Sequence, residues 1–257
     1  MSKPIDSHAH ILSEAFDADR EHLLHALVEE VSLFIECAAE ESDFTKIDQL
    51  VRAYDYVYGA VGIHPESVSA WQLHILDEMT RHLQAEKIIA IGEIGLDYYW
   101  EPERKKEQKK MLVAQLALAT ELGYPVILHN RDATEDLLDI IVTQNDVRGV
   151  LHCFTQGVDT AKKVLDLGLY VGIGGVLTFK NAGELLEAAE YIPLNRILLE
   201  TDSPYMTPVP KRGKRNNPGY VKYVAAKLAE IKKISVEEVI EQTNKNVKAL
   251  FGVESVS

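Results

Sequence analysis

Short apolar runs alternate with longer segments of helical periodicity along the whole chain. Eight of these runs are nearly continuous in hydrophobicity and rich in Val, Ile or Leu, which predicts strands that are buried on both faces, as in a parallel sheet. The predicted strands are Pro4–His8, Val31–Ala38, Tyr56–His64, Ile88–Ile94, Pro125–His129, Gly149–Phe154, Leu169–Gly174 and Ile197–Asp202.

The segments between these runs repeat apolar residues at the spacing of amphipathic helices. Pro218 is expected at the first position of one helix. Ser235 and Glu238 form a capping-box pattern for a last helix that ends near Phe251. The other predicted helices are Glu21–Glu30, Trp71–Glu86, Arg104–Leu122, Thr134–Thr143, Asp159–Leu167 and Ala182–Tyr191.

Eight strands alternating with helices over about 250 residues most simply predict an α/β fold of the (β/α)8 TIM-barrel type. An open, doubly wound sheet is the alternative. The chain shows no linker, no low-complexity tract and no break in composition. A single domain over residues 1–257 is therefore expected.

Composition narrows the class of protein. The chain has 257 residues, of which 46% are hydrophobic, so it can bury a large core. It shows neither a membrane-spanning apolar run nor a signal-peptide pattern. Its two cysteines, Cys37 and Cys153, give no disulfide framework, fit a reducing cytoplasm and are expected in the core. The net charge of −13 disfavours a broad phosphate-tracking surface, but not a small pocket that handles phosphate through metal ions.

Ionisable residues cluster at the predicted carboxyl ends of the strands, where barrels carry their active sites. His8 and His10 have the i, i+2 spacing that puts both imidazoles on one face of a strand. Glu93 ends a buried strand, where an unpaired carboxylate is costly, so a cation is the simplest partner. The full set is His8, His10, His64, Glu93, His129, His152 and Asp202. Together they predict a metal centre of imidazole and carboxylate ligands.

The remaining polar residues near these motifs carry weaker signals. Asp6 shares the face of His8 and His10, and could orient a ligand or form a structural hydrogen bond. Four other histidines lie inside predicted helices among charged residues, which indicates solvated helix faces. They are His22, His25, His74 and His82.

The ordered motifs resemble those of the TatD family of metal-dependent hydrolases, often called TatD deoxyribonucleases, which are related to amidohydrolases. The resemblance extends over nearly the whole chain. The motifs are Asp6-Ser7-His8-Ala9-His10, Gly62-Ile63-His64-Pro65, Gly92-Glu93-Ile94-Gly95-Leu96-Asp97, His129-Asn130-Arg131-Asp132-Ala133, His152-Cys153-Phe154, Glu200-Thr201-Asp202-Ser203-Pro204 and Arg212-Gly213-Lys214-Arg215-Asn216-Asn217-Pro218.

This resemblance implies up to two divalent ions, Mg²⁺, Zn²⁺ or Mn²⁺, in a TIM barrel. His8, His10, Glu93 and Asp202 would surround one ion. Glu93, His129 and His152 would hold the other, with Glu93 as the bridge. The expected reaction is hydrolysis by a metal-bound hydroxide, with Asp202 as the base and His64 facing a substrate oxygen.

Several rim residues are candidates for substrate binding. Arg131 follows a predicted ligand and could contact phosphate or form a rim ion pair. The one dense basic segment expected from the sequence favours an anionic substrate. It consists of Lys211, Arg212, Lys214 and Arg215. Tyr98, Tyr99 and Trp100 could stack a nucleobase or pack the loop. The glycines of Gly172-Ile173-Gly174-Gly175 are expected to keep space clear beside the metals, as are Gly92 and Gly95.

Two enzymatic functions and one structural function remain open on this evidence. The first is a deoxyribonuclease that cleaves phosphodiesters from DNA ends, as a 3′→5′ exonuclease. The second is hydrolysis of a carboxylic ester, amide or lactone, including aminoacyl-tRNA-type esters. A purely structural metal is disfavoured because its ligands would close the site. No membrane and no obligate protein partner are expected.

Overall fold

Within residues 2–144 and 146–253, the part of the chain that the computed structural model describes, eight parallel strands form one sheet in the order β1 to β8. β1 also forms a parallel bridge, between Ala9 and Ser203, with the chain that follows β8, so the sheet nearly closes into a barrel. The strands are β1 (Ile5–Ala9), β2 (Leu33–Cys37), β3 (Val57–Val61), β4 (Ile88–Asp97), β5 (Val126–Arg131), β6 (Gly149–Leu151), β7 (Tyr170–Ile173) and β8 (Ile197–Leu199). The predicted (β/α)8 barrel is confirmed, and the open sheet is excluded.

Helices surround the sheet. They are α1 (Arg20–Leu27), α2 (Glu41–Ala53), α3 (Ile75–His82), α4 (Lys105–Leu122), α5 (Thr134–Thr143), α6 (Val158–Asp166), α7 (Glu184–Tyr191), α8 (Val221–Lys232) and α9 (Val236–Phe251). α2 was not predicted, although Phe44, Ile47 and Val51 are buried at helical spacing and Glu40 with Asp43 forms a capping box. None of the described helices is long and apolar enough to cross a bilayer.

The strand ends differ from the prediction in both directions. β6 ends at Leu151 and β8 at Leu199, before the polar residues that were predicted to lie within those strands. β4, in contrast, continues to Asp97. Apolar runs therefore located the strands, but not the point at which the chain leaves the sheet to present polar side chains.

The amino end of the barrel is closed by α9. Leu250 and Phe251 pack with inward-facing barrel residues such as Ile5. Asn244 accepts a hydrogen bond from the Ile5 amide at 3.0 Å, and Asn246 donates to the Ile197 carbonyl at 2.8 Å. The carboxyl end is left open for a site. The expectation of one domain over residues 1–257 stays a prediction, and Met1, Asn145 and residues 254–257 lie outside the described part of the chain.

Candidate metal centre

A cavity of about 960 Å³ opens at the carboxyl ends of the strands. Of the seven ionisable residues that the sequence predicted at these ends, His8 is completely buried beneath the cavity. The other six line it, and they are His10, His64, Glu93, His129, His152 and Asp202. The structure thus brings all seven together, from six different strands or the turns that follow them.

Glu93 lies at the centre of this group, and its side chain is 3% exposed. Its Oε2 is 3.1 Å from His8 Nε2 and 3.4 Å from His10 Nε2. Its Oε1 is 2.8 Å from His129 Nδ1 and 2.7 Å from His152 Nε2. One carboxylate therefore faces two separate pairs of imidazoles, one with each oxygen.

Asp202 completes the first of these two groups. Its Oδ1 lies 3.8 Å from His8 Nε2 and 3.7 Å from His10 Nε2. Asp202 follows β8 with a φ of +55°, a left-handed conformation that turns the chain sharply at the rim. His8, His10 and Asp202 each offer one donor atom within 4.8 Å of the others, as do His8, Glu93 and His152.

The outer ring nitrogens of two histidines have hydrogen-bond acceptors that fix the tautomer. His10 Nδ1 lies 3.0 Å from the Cys37 carbonyl, and His129 Nε2 lies 3.0 Å from Asp97 Oδ2. Each of these nitrogens donates its proton outward. In the neutral ring, the other nitrogen then carries the lone pair and faces the centre of the group, as metal-binding histidines require. The donor set therefore fits divalent ions.

His64 differs from these histidines. Its Nδ1 accepts a hydrogen bond from the Glu66 amide at 3.2 Å, so the proton of the neutral ring is on Nε2. That Nε2 is 3.5 Å from Glu93 Oε1, and the side chains of His64, Glu93 and His129 are close enough to form a third potential metal group. A protonated nitrogen cannot bind a metal, so His64 is better suited to donate a hydrogen bond into the cavity.

Burial and the nearby histidines shift the pKa values of the two central carboxylates, Glu93 and Asp202, in opposite directions. Burial alone would raise the pKa of Glu93, but His152, His8 and His64 outweigh it and hold that pKa well below its usual range. For Asp202, burial is the stronger effect and raises the pKa to about 6, although His152 and His10 oppose it. Glu93 is thus a permanent anion, whereas Asp202 can exchange a proton near neutral pH.

Three buried carboxylates support the centre and were not predicted as site residues. Asp97 holds His129. Glu36 accepts hydrogen bonds from the Ile11 and Leu12 amides at 2.7 and 2.8 Å, which fixes the chain just after His10. Glu200 accepts from the Cys153 amide at 2.5 Å and lies 3.6 Å from His152. The available signal was the same as for Glu93, a carboxylate within or at the end of an apolar run.

The glycines near the centre make room for protein atoms, which corrects the expectation that they make room for metals or substrate. A Cβ at Gly172 would lie 2.2 Å from Glu200 Oε2. A Cβ at Gly92 would lie 2.7 Å from the Cβ of Ile127 on the next strand. Gly95 has a φ of +155°, and a Cβ there would lie 2.0 Å from the His129 carbonyl oxygen. Close packing of buried groups explains all three.

Asp6 has a structural role across the barrel seam. Its carboxylate accepts hydrogen bonds from the Thr201 amide at 2.8 Å and the Thr201 hydroxyl at 2.6 Å. It therefore ties β1 to the chain just after β8. Asp6 also accepts a hydrogen bond from the His8 amide at 3.3 Å, so it contacts the backbone of a predicted ligand but no histidine ring, which favours the structural role.

Two expectations from residue alternation and helical position were wrong. Cys153 is half-buried and lines the cavity, because the chain has left β6 and Cys153 has a φ of +47°. Cys37 is buried as expected. His82 is not a solvated helix residue: its side chain is 14% exposed and its ring packs edge-on against Phe44.

The predicted substrate-binding residues lie in different settings. Arg131 lines the cavity, whereas Arg212, Lys214 and Arg215 are absent from its described lining. Arg215 forms an ion pair with Asp19 at 2.7 Å, and Arg212 donates to the Thr207 carbonyl at 3.0 Å.

The aromatic residues Tyr98, Tyr99 and Trp100, which follow β4, also lie in different settings. The Tyr98 hydroxyl donates to Asp136 at 2.6 Å, so this side chain packs the loop. Tyr99 and Trp100 are 52% and 57% exposed.

Comparisons with known proteins agree with the resemblance seen in the sequence. The model of the family described as TatD related DNase matches residues 5–252. The chain is 40% identical to an uncharacterized metal-dependent hydrolase, YabD, of Bacillus subtilis (strain 168), over 96% of this chain and 98% of that protein. It is 32% identical to the 3′-5′ ssDNA/RNA exonuclease TatD of Citrobacter koseri, over 96% of this chain and 98% of that protein.

Among solved structures, the chain is similar to YJJV, a TatD homolog from Escherichia coli K12. The TM-score is 0.91 at 29% sequence identity, covering 97% of this chain and 98% of the other. This degree of similarity supports both the barrel fold and the order of its strands.

Proposed function

Since the chain belongs to the TatD related DNase family of metal-dependent hydrolases, we propose that it is a deoxyribonuclease that removes nucleotides from the 3′ ends of DNA. The observation that carries the proposal is the position of Glu93, whose two oxygens face two groups of imidazoles at the floor of an open cavity. A closed structural site would leave no room for a substrate.

Six residues would hold two divalent ions, Mg²⁺, Zn²⁺ or Mn²⁺. His8, His10 and Asp202 form one group, His129 and His152 the other, and Glu93 is shared between them. When bound, such a pair of ions supplies a nucleophile at neutral pH and stabilises charge on phosphoryl oxygens.

Three side chains have roles of their own in this reaction. Asp202, with its pKa raised by burial to about 6, accepts the proton of the attacking water. His64 donates its Nε2 proton in a hydrogen bond to a substrate oxygen. Arg131 binds a phosphate, since its guanidinium lies on the cavity wall and can form two parallel hydrogen bonds to phosphate oxygens.

A second function, hydrolysis of a carboxylic ester, amide or lactone, is favoured by the acidity of the cavity. Glu40, Asp43, Glu66 and Asp132 line it in addition to the predicted ligands. These carboxylates oppose the approach of a polyanion from their side and would suit a small or neutral substrate, including an aminoacyl ester.

Labelled single-stranded oligonucleotides distinguish the two functions. We expect the metal-loaded protein to shorten a strand from a free 3′ end, and to leave a 3′-blocked strand intact. EDTA should abolish this reaction, and added Mg²⁺ or Mn²⁺ should restore it. Intact DNA alongside rapid hydrolysis of carboxylic esters would show that the second function is the correct one.

A further inference from the structure

The wall of the cavity is electrostatically asymmetric. Glu40 and Asp43 follow β2, and Glu66 follows β3, so the wall on this side is acidic. Arg131, which ends β5, is the sole lysine or arginine among the described residues that line the cavity, and the acidic Asp132 lies directly beside it. A polyanionic strand is therefore repelled by the acidic wall after β2 and β3, and Arg131 is the cation of the described lining that can attract it.

Arg131 lies against two exposed aromatic residues. Its Cζ is 4.2 Å from the ring centre of Tyr99 and 5.5 Å from that of Trp100. The two rings meet edge-on, with centroids 4.7 Å apart. Within the described residues, the Arg131 guanidinium has no hydrogen bond or ion pair, so its donors are free for a ligand. Trp100 is 57% exposed and also lines the cavity.

Asp97 fixes this group relative to the candidate metal centre. One of its oxygens accepts hydrogen bonds from the Tyr99 and Trp100 amides at 2.9 and 2.8 Å. The other lies 3.0 Å from His129 Nε2. A single buried carboxylate thus couples the position of the aromatic pair to a candidate metal ligand. A nucleotide on Trp100 would be held in a fixed relation to the reacting phosphate.

A second basic segment begins just beyond the aromatic pair, which corrects the expectation that the segment around Arg212 is the one dense cluster of basic residues. It precedes and opens α4, near the carboxyl end of β4. Its cations are Arg104, Lys105, Lys106, Lys109 and Lys110. Lys109 pairs with Asp136 at 2.7 Å, but Lys105, Lys106 and Lys110 are exposed. Glu101, Glu103 and Glu107 lie beside or among these five cations, so the segment keeps a net charge of +2, and a strand that leaves the cavity across Trp100 would meet that charge.

We propose that Tyr99, Trp100 and Arg131 form a subsite for an unpaired nucleotide. Its base stacks on Trp100, its phosphate binds Arg131, and the start of α4 receives the rest of the strand. The subsite rests on the proposed nuclease function and adds selectivity to it, because a base within a duplex cannot present its face to an indole.

Steady-state kinetics test the subsite. Stacking on an aromatic residue contributes about 1–3 kcal/mol per base, so Trp100→Ala should raise KM for a single-stranded oligonucleotide by roughly 5- to 150-fold. The fall in kcat/KM should be at least about fivefold larger for the oligonucleotide than for a small phosphodiester such as bis(p-nitrophenyl) phosphate, and Trp100→Phe should restore most of the affinity. The matched control is Tyr191→Ala, which removes an exposed aromatic at the end of α7. An unchanged KM, or an equal loss on the small phosphodiester, would overturn the subsite.

Fluorescence gives a direct measure of stacking. The chain has two tryptophans, so Trp71→Phe leaves Trp100 as the one indole. An oligothymidylate with phosphorothioate linkages should quench this fluorescence in the metal-loaded protein, and a blunt duplex should not. Failure of the wild type to hydrolyse DNA would overturn the nuclease function. Hydrolysis of DNA without quenching would overturn the subsite alone.

Discussion

The two ends of the barrel bury opposite kinds of residue. At the amino end, Phe251 and Leu250 of α9 seal an apolar interior, and Asn244 and Asn246 satisfy the backbone at the start of β1 and β8. At the carboxyl end, the buried side chains are ionisable. They include Asp6, His8, Glu36, Glu93, Asp97, His152 and Glu200.

This difference separates stability from chemistry. Apolar burial at the amino end stabilises the fold without any need for a ligand. Buried charges at the carboxyl end are costly and become useful when a cation or substrate meets them. Substitutions at the two ends should therefore affect different measurements, and the three predictions below test this separation.

The largest effect is expected for Glu93→Gln at the carboxyl end. The amide keeps the shape of the side chain but loses the charge shared by both imidazole groups. Hydrolysis should fall by more than about 10⁴-fold, because metal-assisted catalysis is lost. Elemental analysis should find fewer ions per chain, while circular dichroism stays that of the wild type. The control is Glu187→Gln, at an exposed position of α7. Full ion content and full turnover in Glu93→Gln would refute the proposal that Glu93 is shared by the two metal groups.

A loss of stability without a loss of activity is expected for Phe251→Ala at the amino end. Phe251 is 6% exposed, and truncation of a buried Phe costs about 3–5 kcal/mol of unfolding free energy. kcat per folded molecule should not change, since the cavity lies at the other end. Denaturant unfolding monitored by circular dichroism measures the loss, with Val236→Ala, at an exposed position of α9, as the control. A large fall in kcat at full folding would show that the two ends are coupled.

The positions of the strands, and the end of the barrel that carries the site, could be predicted from the sequence. The strands that carry His8, Glu93 and His129 were found because apolar runs are a local signal, and barrel topology places their carboxyl ends on one rim. Six of the seven predicted residues reached the cavity wall and His8 lies beneath it. That outcome required only the order of strands along the chain.

Pairings between distant segments could not be predicted in this way. Glu200 lies against Gly172, and Asp6 binds Thr201, because neighbouring strands bring these residues together at a register that the sequence does not encode locally. Cys153 was misplaced for a related reason, since alternation of side chains holds only while the chain remains in a strand. α2 was the exception, because its amphipathic pattern was present in the sequence and was missed.

The smallest effect on activity is expected for Arg215→Ala. This substitution tests whether a position near the carboxyl end of the barrel is sufficient for a role in substrate binding. Arg215 follows β8 as Asp202 does, but its guanidinium pairs with Asp19 and lies 4.3 Å from the centre of the Phe16 ring. Asp19 is exposed to solvent, which screens the ion pair, so the free energy of unfolding should fall only slightly. KM for single-stranded DNA should change by less than about twofold, whereas Arg131→Ala, which removes an unpaired guanidinium, should raise it by about tenfold or more. If Arg215→Ala raised KM as much as Arg131→Ala, the sequence-based hypothesis that Arg215 binds substrate would hold, and function at this rim would extend beyond the cavity wall.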